Sequence, residues 1–327
     1  MSGPRRDLRA LPKAHLHLHL EAAMRPATLR ELADEHGVTL PALDFSTFGD
    51  FIVLYQLATD VLRGPEDLRR LVREMAEDAR DDGAVWVEYF VYPPLWLGRF
   101  GSDADALDLC LDAARDASAS TGVGLGAIVT ADRTLDPALA EDAARLAVTR
   151  AGDGVVGFGL ANDESHHPPE PFAPAFAIAR DGGLLSVPHA GELAGPESVR
   201  GALDALHADR IGHGVRAIED PDLVRRLADD GVVCDVCPTS NLTLGLYPSM
   251  REHAIASLVD AGVPVTVNAD DPLLFGPGLL EEYTSVRDAF AWSDERMAAI
   301  ARPSVMASGA PDDVKAAAAA AIDAWLA

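Results

Sequence analysis

The chain has 327 residues, of which 48% are apolar, enough to bury a large core. It carries 52 acidic residues against 27 Lys and Arg, and the resulting net charge of −25 disfavours nucleic-acid phosphates and anionic membrane surfaces as partners. The three cysteines (Cys110, Cys234 and Cys237) are too few for a disulfide framework, and no apolar leader or membrane-length apolar run occurs, so we expect a soluble cytoplasmic protein.

The opening stretch, residues 14–21, alternates histidines with aliphatic residues. A period of two is typical of a β-strand, so His15, His17 and His19 are expected to share one face. Neutral imidazole is the commonest metal ligand among side chains, and two histidines at positions i and i+2 of a strand can reach one ion. This stretch alone also permits a half-polar strand with ordinary surface histidines.

A purely helical segment is predicted after the opening strand. Helices are expected over 25–35, ended by Gly37, over 45–62, and from Gly64-Pro65 to about residue 82, where Pro stands near the first helical position. This is longer than a single βα unit requires. We therefore expect these helices to extend over one end of the fold.

Seven further apolar runs rich in β-forming residues complete the pattern, each followed by a helical segment. They cover 85–91, 124–129, 155–160, 184–189, 210–213, 232–236 and 263–268. Continuous apolar runs are typical of parallel strands buried on both faces. Eight βα units predict an α/β fold, a single (β/α)8 barrel domain over residues 1–327, closed by helices near 281–308 and 311–326.

Polar residues follow several of the predicted strands. In a (β/α)8 barrel the carboxyl ends of the strands meet at one mouth, where reactive groups lie, so convergence there indicates a site rather than isolated structural residues. The residues concerned are His17, His19, Glu21, Asn162, His189, Glu192, His213, Asp270 and Asp271.

A zinc site is the chemistry that these residue types favour. Three imidazoles and one carboxylate suit Zn²⁺ with one position left for water, and His17, His19, His189 and Asp270 would fill the set. Asp271 could accept a proton from that water, His213 could orient it, and Glu192 could give a proton to a substrate ring nitrogen.

Two other kinds of metal site are disfavoured. The fourth strand, 155–160, holds no Lys that could be carboxylated to bridge two metal ions, so we expect one zinc per chain. Cys234 and Cys237 form a lone C-x-x-C pair inside a strand, which is typical of a structural role.

Taken in order, the motifs resemble those of the adenosine deaminase family. The matching segments, spanning 12 to 272, are Pro12-Lys13-Ala14-His15-Leu16-His17-Leu18-His19-Leu20-Glu21, Pro188-His189-Ala190-Gly191-Glu192, Arg210-Ile211-Gly212-His213-Gly214, Cys237-Pro238-Thr239-Ser240-Asn241 and Asn268-Ala269-Asp270-Asp271-Pro272. The resemblance implies a zinc-dependent barrel hydrolase that replaces the 6-amino group of an adenine ring with oxygen and releases ammonia.

The resemblance also implies roles for individual residues. His17, His19, His189 and Asp270 would bind the metal, which leaves His15 deeper in the barrel. Glu192 would protonate the ring, while His213 and Asp271 would assist attack on C6. The family's lid over the purine corresponds to 45–62, with Phe48, Phe51 and Leu54 as candidate lid residues; plain helix packing is the alternative.

Departures from the family pattern bear on the substrate. Glu21 replaces the usual Asp near a ribose 5′-hydroxyl, Ala22 replaces Gly, Asn162 replaces a Gly whose backbone approaches the purine, and Phe90 stands in an altered segment after the second strand. Residues 160–164 favour a purine nucleoside, adenosine or a 5′-modified adenosine, and Asn162 tolerates unusual φ values. Alternatives are 6-aminodeoxyfutalosine in menaquinone synthesis, free adenine, another metal hydrolase reaction on the same barrel, or a purine-binding pseudoenzyme.

Overall fold

A computed structural model describes residues 5–45 and 47–327 and shows eight parallel strands arranged as a barrel. Each strand pairs with the next in sequence, which confirms the predicted (β/α)8 architecture. The strands are β1 Lys13–His15, β2 Ala84–Val91, β3 Gly124–Asp132, β4 Val155–Ala161, β5 Leu185–Ala190, β6 Arg210–His213, β7 Val233–Val236 and β8 Val265–Val267.

The barrel closes between the segments that follow β1 and β8. The backbone N–H of Asp270 donates to the carbonyl of His17 at 3.1 Å, and the N–H of His19 donates to the carbonyl of Asp270 at 3.0 Å. The regular opening strand is therefore shorter than predicted. It ends at His15, because the chain beyond it is held by single bridges, from Leu18 to Asp270 and from His19 to Phe90.

Fourteen helices are present in the described part of the chain. They are α1 Pro26–His36, α2 Phe48–Asp60, α3 Pro65–Asp81, α4 Asp103–Thr121, α5 Pro137–Val148, α6 Ala173–Asp181, α7 Pro196–Asp204, α8 Pro221–Asp230, α9 Pro238–Thr243, α10 Ile255–Asp260, α11 Pro272–Phe275, α12 Leu279–Phe290, α13 Asp294–Met306 and α14 Asp312–Leu326. Helices α1 and α3 begin at proline, whose fixed φ and missing N–H suit a first helical position. None of the fourteen has the length and apolar character needed to cross a membrane.

The predicted helical excursion after the opening strand is present as α1, α2 and α3. The closing helix predicted over 281–308 is instead two helices, α12 and α13. The interruption has a local cause, because Ala291 adopts a left-handed φ of 52° and Ser293 Oγ then accepts from the N–H of Arg296 to cap α13.

Apolar side chains fill the barrel interior below the polar mouth. Phe90, Ile128 and Val187 form a buried cluster inside the barrel. The centroid of the Phe90 ring lies 4.8 Å from that of His17 and 5.0 Å from that of His19. His17 and His19 therefore pack against an apolar side chain, which restricts the orientation of their rings.

Candidate active site

The four residues predicted to bind a metal come together at the carboxyl ends of the strands. Nε2 of His19 lies 3.1 Å from Nε2 of His189. Oδ1 of Asp270 lies 3.4 Å from Nε2 of His17 and 3.4 Å from Nε2 of His19. Three imidazole nitrogens and one carboxylate oxygen therefore face one small volume.

The chemistry of these groups fits a bound cation. Both ring nitrogens of His17 and Nδ1 of His189 are buried without a hydrogen-bond partner among the described residues, an arrangement that costs free energy unless something binds there. Burial lowers the pKa of His19 to about 4 and that of His189 well below its ordinary value, with neighbouring histidines contributing. Neutral imidazole, which has a free lone pair, is therefore favoured, and an N3O donor set suits zinc.

His213 lies beside this cluster and makes a second ligand set geometrically possible. Ligand atoms of His17, His189, His213 and Asp270 lie within 4.8 Å of one another, as do those of His19, Asp270 and Asp271. Nε2 of His213 also lies 3.5 Å from Oε2 of Glu192. Proximity alone therefore leaves either His19 or His213 as the third imidazole ligand.

Three residues of the site adopt left-handed backbone conformations, which are uncommon outside glycine. The φ angles are 83° at Asn162, 63° at His213 and 62° at Asp270. Asn162 thus takes the unusual conformation that its position was expected to require. Such strain concentrates at functional sites because the surrounding fold holds side chains where chemistry needs them.

The glycine before His213 is required by close packing. A Cβ at Gly212 would lie 2.8 Å from Cε1 of His17 and 3.2 Å from Cα of His189. A side chain there would displace both histidines. The Gly-His pair in this segment therefore lets β6 approach the cluster.

A carboxylate that the sequence analysis did not single out holds the loop after β5. Glu164 is buried, and its two oxygens accept hydrogen bonds from four consecutive backbone N–H groups, those of Gly191, Glu192, Leu193 and Ala194, at 2.5 to 3.0 Å. The loop begins two residues after His189 and carries Glu192. Its only sequence signal was an acidic residue in the segment after β4.

Glu192 and Asp271 are buried carboxyl groups with raised pKa values. Burial raises the pKa of Glu192 well above its ordinary value, and the charges of Asp270 and Glu164 add to the effect. Burial and the adjacent Asp270 likewise raise the pKa of Asp271. A raised pKa keeps a proton on a carboxyl group near neutral pH, so Glu192 is suited to give a proton to a bound molecule, and it makes the ionised form a stronger base, so ionised Asp271 is suited to accept one.

A cavity of about 220 Å³ opens directly onto these groups. It is lined by His19, Phe48, Phe51, Ile52, Tyr55, Gln56, Phe90, Val91, Tyr92, Leu95, Thr130, Ala131, Asp132, Ala161, Asn162, His189, Glu192, His213, Leu244, Asp270, Asp271 and Phe275. Aromatic rings dominate its apolar wall, as suits a flat heterocycle. The cavity lining thus joins the cluster to an apolar binding surface.

Two of the three predicted lid residues line the cavity, and the third does not. Phe48 and Phe51 of α2 line the cavity, and the Phe51 ring stacks on Phe275 with centroids 5.3 Å apart. Leu54 does not line the cavity, because its position on α2 turns it into the core, where it is buried. Tyr55, which sequence reasoning did not select, does line it.

Glu21 and His15 also lie away from the cavity lining. Glu21 is buried and accepts a hydrogen bond from the hydroxyl of Tyr55, so Tyr55 rather than Glu21 faces the cavity. His15 is buried as well, and its Nε2 accepts from the backbone N–H of Ala269 at 3.0 Å. His15 is therefore a buried, hydrogen-bonded residue outside the cavity lining, in agreement with the deeper position that the family resemblance implies.

The chain is similar over most of its length to known deaminases and related hydrolases. The family model for adenosine deaminase matches residues 12–325. A putative adenosine/adenine deaminase of Streptomyces virginiae is 49% identical over 98% of both chains. The solved adenine deaminase of Arthrobacter aurescens superposes with a TM-score of 0.90 at 28% identity, covering 96% of this chain and 99% of that one, and a Burkholderia ambifaria amidohydrolase with bound Zn gives 0.89 at 28% identity, covering 98% and 92%.

Proposed function

The chain belongs to the adenosine deaminase family, a family of aminohydrolases, and we propose that it deaminates the adenine ring of an uncharged purine nucleoside, adenosine or a 5′-modified adenosine, with one Zn²⁺ per chain. The observation that carries the proposal is the meeting of His17, His19, His189 and Asp270 with Glu192 at the wall of one aromatic cavity. A single catalytic domain over 1–327 and a cytoplasmic location belong to the same proposal.

Each residue of the site has a part in this reaction. A zinc ion held by the three imidazoles and Asp270 would supply the Lewis acidity that makes a water nucleophilic near neutral pH. Glu192 gives its proton to a ring nitrogen, which makes C6 electrophilic, and Asp271 accepts a proton from the attacking water. Asp271 then returns that proton to the amino group, which leaves as ammonia when its bond to C6 breaks, and Glu192 regains a proton from the new hydroxyl group, which becomes the carbonyl of the product. The aromatic wall, including Phe51 and Phe275, holds the ring and keeps bulk water out.

The polar lining of the cavity supports a nucleoside without a phosphate. Asp132, at the end of β3, lines it, and its Oδ2 already accepts from Nδ2 of Asn162 at 2.9 Å. A carboxylate accepts hydrogen bonds from sugar hydroxyls but repels a phosphate. No Lys or Arg lines the cavity within the described residues, so no side-chain cation there is available to pair with an anionic substituent.

Free adenine is the second candidate substrate, and the size of the cavity favours it. Its volume of about 220 Å³ lies below the roughly 300 Å³ at which most ligand pockets begin. A small base would need less movement of α2 than a nucleoside. The solved adenine deaminase of similar fold is consistent with this candidate.

The decisive experiment is a rate panel on the zinc-loaded protein with adenosine, 2′-deoxyadenosine, methylthioadenosine, 6-aminodeoxyfutalosine, adenine and adenosine 5′-phosphate. We expect the highest kcat/KM for an uncharged nucleoside and the lowest for the phosphate. Adenine as the best substrate would select the second candidate. Absence of turnover on every compound would instead support a purine-binding protein without activity.

The role of Glu192 is tested with Glu192→Gln. The amide keeps the shape but cannot give up a proton, so kcat should fall about 10²- to 10⁴-fold while the metal content stays unchanged. Asp163→Asn, a nearby carboxylate outside the cavity lining, is the matched control. Full activity of Glu192→Gln would remove Glu192 from its proposed role.

A further inference from the structure

A chain of buried hydrogen bonds leads from α10 to His213. The backbone N–H of Ile255 donates to Nδ1 of His253 at 3.0 Å. Nε2 of His253 lies 3.1 Å from Oδ1 of Asn241, and Nδ2 of Asn241 lies 3.3 Å from Nδ1 of His213. His213, Asn241 and His253 are all buried, so water has little access to compete for these bonds.

The order of donors and acceptors in this chain follows from its first bond. A backbone N–H can only donate, so Nδ1 of His253 carries no proton and the ring is neutral with its proton on Nε2. Burial, which lowers the pKa of His253 to about 4, favours the same state. Nε2–H therefore donates to the oxygen of Asn241, and the reverse amide orientation would place two donors against each other.

The same logic fixes the proton on His213. With its oxygen turned to His253, Asn241 presents its NH₂ group to Nδ1 of His213, which must accept. A neutral His213 then carries its proton on Nε2. That nitrogen faces the site, 3.5 Å from Oε2 of Glu192 and 3.9 Å from Oδ2 of Asp270.

We propose that Asn241 and His253 are positioning residues that hold His213 as its Nε2–H tautomer, so that His213 donates a hydrogen bond into the active site and is not a metal ligand. A protonated Nε2 has no lone pair for a cation. The ambiguity between the two ligand sets is thereby resolved in favour of His17, His19, His189 and Asp270. The catalytic role of the His213 Nε2–H rests on the proposed function, whereas the assignment of the tautomer follows from the hydrogen bonds alone.

The donor has a defined use in the proposed reaction. As water adds to C6, negative charge develops on the incoming oxygen, and an oriented N–H stabilises that charge without reorganising. A histidine of the opposite tautomer would present a lone pair and repel it. His253 lies outside the cavity lining, so it can influence the reaction only through Asn241 and His213.

The test reads the tautomer directly, by long-range ¹H–¹⁵N NMR of the zinc-loaded protein labelled with ¹⁵N in its histidine rings. His213→Gln identifies the His213 signals. We expect Nε2 of His213 to be protonated and Nδ1 to be an unprotonated acceptor. Protonation at Nδ1, or a metal-bound Nε2, would overturn the proposal, and neither result depends on whether an adenine compound is turned over.

Variants test the hydrogen-bond relay, by which we mean the bonds from His253 through Asn241 to His213. In Asn241→Asp the carboxylate can only accept, so the His213 proton should move to Nδ1 and kcat should fall about 10²-fold, with KM and metal content nearly unchanged. His253→Gln, whose amide can still donate to Asn241, should retain the wild-type tautomer, whereas His253→Leu should lose it. His166→Gln, an exposed histidine, is the control. An unaltered His213 tautomer in Asn241→Asp or in His253→Leu would contradict the relay, and the His253 pair decides the matter if Asn241→Asp does not fold.

Discussion

The hydroxyl of Tyr55 in α2 donates a hydrogen bond of 2.5 Å to Oε2 of Glu21. Glu21 is almost fully buried, and its other oxygen has no hydrogen-bond partner among the described residues. Burial raises the pKa of this carboxyl group. The bond joins α2, which covers the cavity, to the segment that carries His17 and His19, so the covering helix is anchored two residues from a candidate metal ligand.

Tyr55→Phe should therefore weaken both stability and substrate binding. Removing the donor leaves Oε2 of a buried carboxyl group without this hydrogen bond, which should lower the free energy of unfolding by about 1–3 kcal/mol. KM should rise with little change in kcat, because α2 loses its anchor. Thermal unfolding and steady-state kinetics measure the two effects. Glu21→Gln, which still offers an oxygen to Tyr55, should lose less stability, and equal stability of Tyr55→Phe and the wild type would show that the bond contributes nothing.

Glu164→Gln should lower kcat through the loop that carries Glu192. An amide replaces one acceptor oxygen by an NH₂ group that faces backbone N–H donors, so the loop must shift, and misplacement of a catalytic group by about 1 Å can cost about 10²-fold in rate. We expect kcat to fall about tenfold to hundredfold, with metal content maintained. Asp163→Asn is the neighbouring control, since the hydrogen bonds of Asp163 to other described residues all stay within its own loop, to Asn162, Ser165, His166 and His167. Equal kcat for the two variants would show that the hydrogen bonds accepted by Glu164 do not contribute to catalysis.

The sequence predicts which polar residues meet at the mouth of the barrel, because the barrel fold determines where the strand ends meet. His189 and Asp270 are 81 positions apart, yet each follows a strand whose end lies at the same mouth. Strand periodicity also placed His17 and His19 together. It could not show the depth of His15, which is buried and accepts a hydrogen bond from the backbone N–H of Ala269 instead of reaching the cavity.

Contacts that depend on the path of a loop or on a side chain's reach could not be predicted in this way. Neither composition nor spacing indicates that Glu164 accepts four N–H groups from the loop after β5, or that Tyr55 reaches Glu21. The relay through Asn241 and His253 depends on the orientation of one amide. Leu54 is a further example. Helical spacing groups it with Phe51, but the packing of α2 buries Leu54 in the core, and this could not be predicted from spacing alone.

Metal analysis of two histidine variants separates the candidate ligand sets. His19→Gln should bind less than one zinc per chain, because it removes one of the four proposed ligands, whereas His213→Gln should keep the full content although its activity falls. A chelator should abolish activity in the wild type and lower its thermal stability. Re-addition of zinc at about 100 times its Kd should recover roughly 2.7 kcal/mol. Loss of zinc from His213→Gln and its retention in His19→Gln would show that His213, rather than His19, is the third imidazole ligand.

Lys13 should make stability depend on alkaline pH. Its ammonium group is fully buried beneath the barrel, where Nζ donates to the carbonyls of Leu8 and Leu11, and burial lowers its pKa from 10.5 to about 8. Between these values the unfolded chain binds more protons than the folded one, so the contribution of Lys13 to the free energy of unfolding rises with pH. Below pH 8 both states are protonated and the full cost of burying the charge remains; above 10.5 both are neutral. Urea unfolding from pH 7 to 9.5 should show wild-type stability gaining on Lys13→Met as pH rises, by about 2 kcal/mol over this range. Lys315→Met gives the baseline for replacing a lysine, and parallel pH curves for the wild type and Lys13→Met would mean that the Lys13 ammonium group keeps its proton throughout.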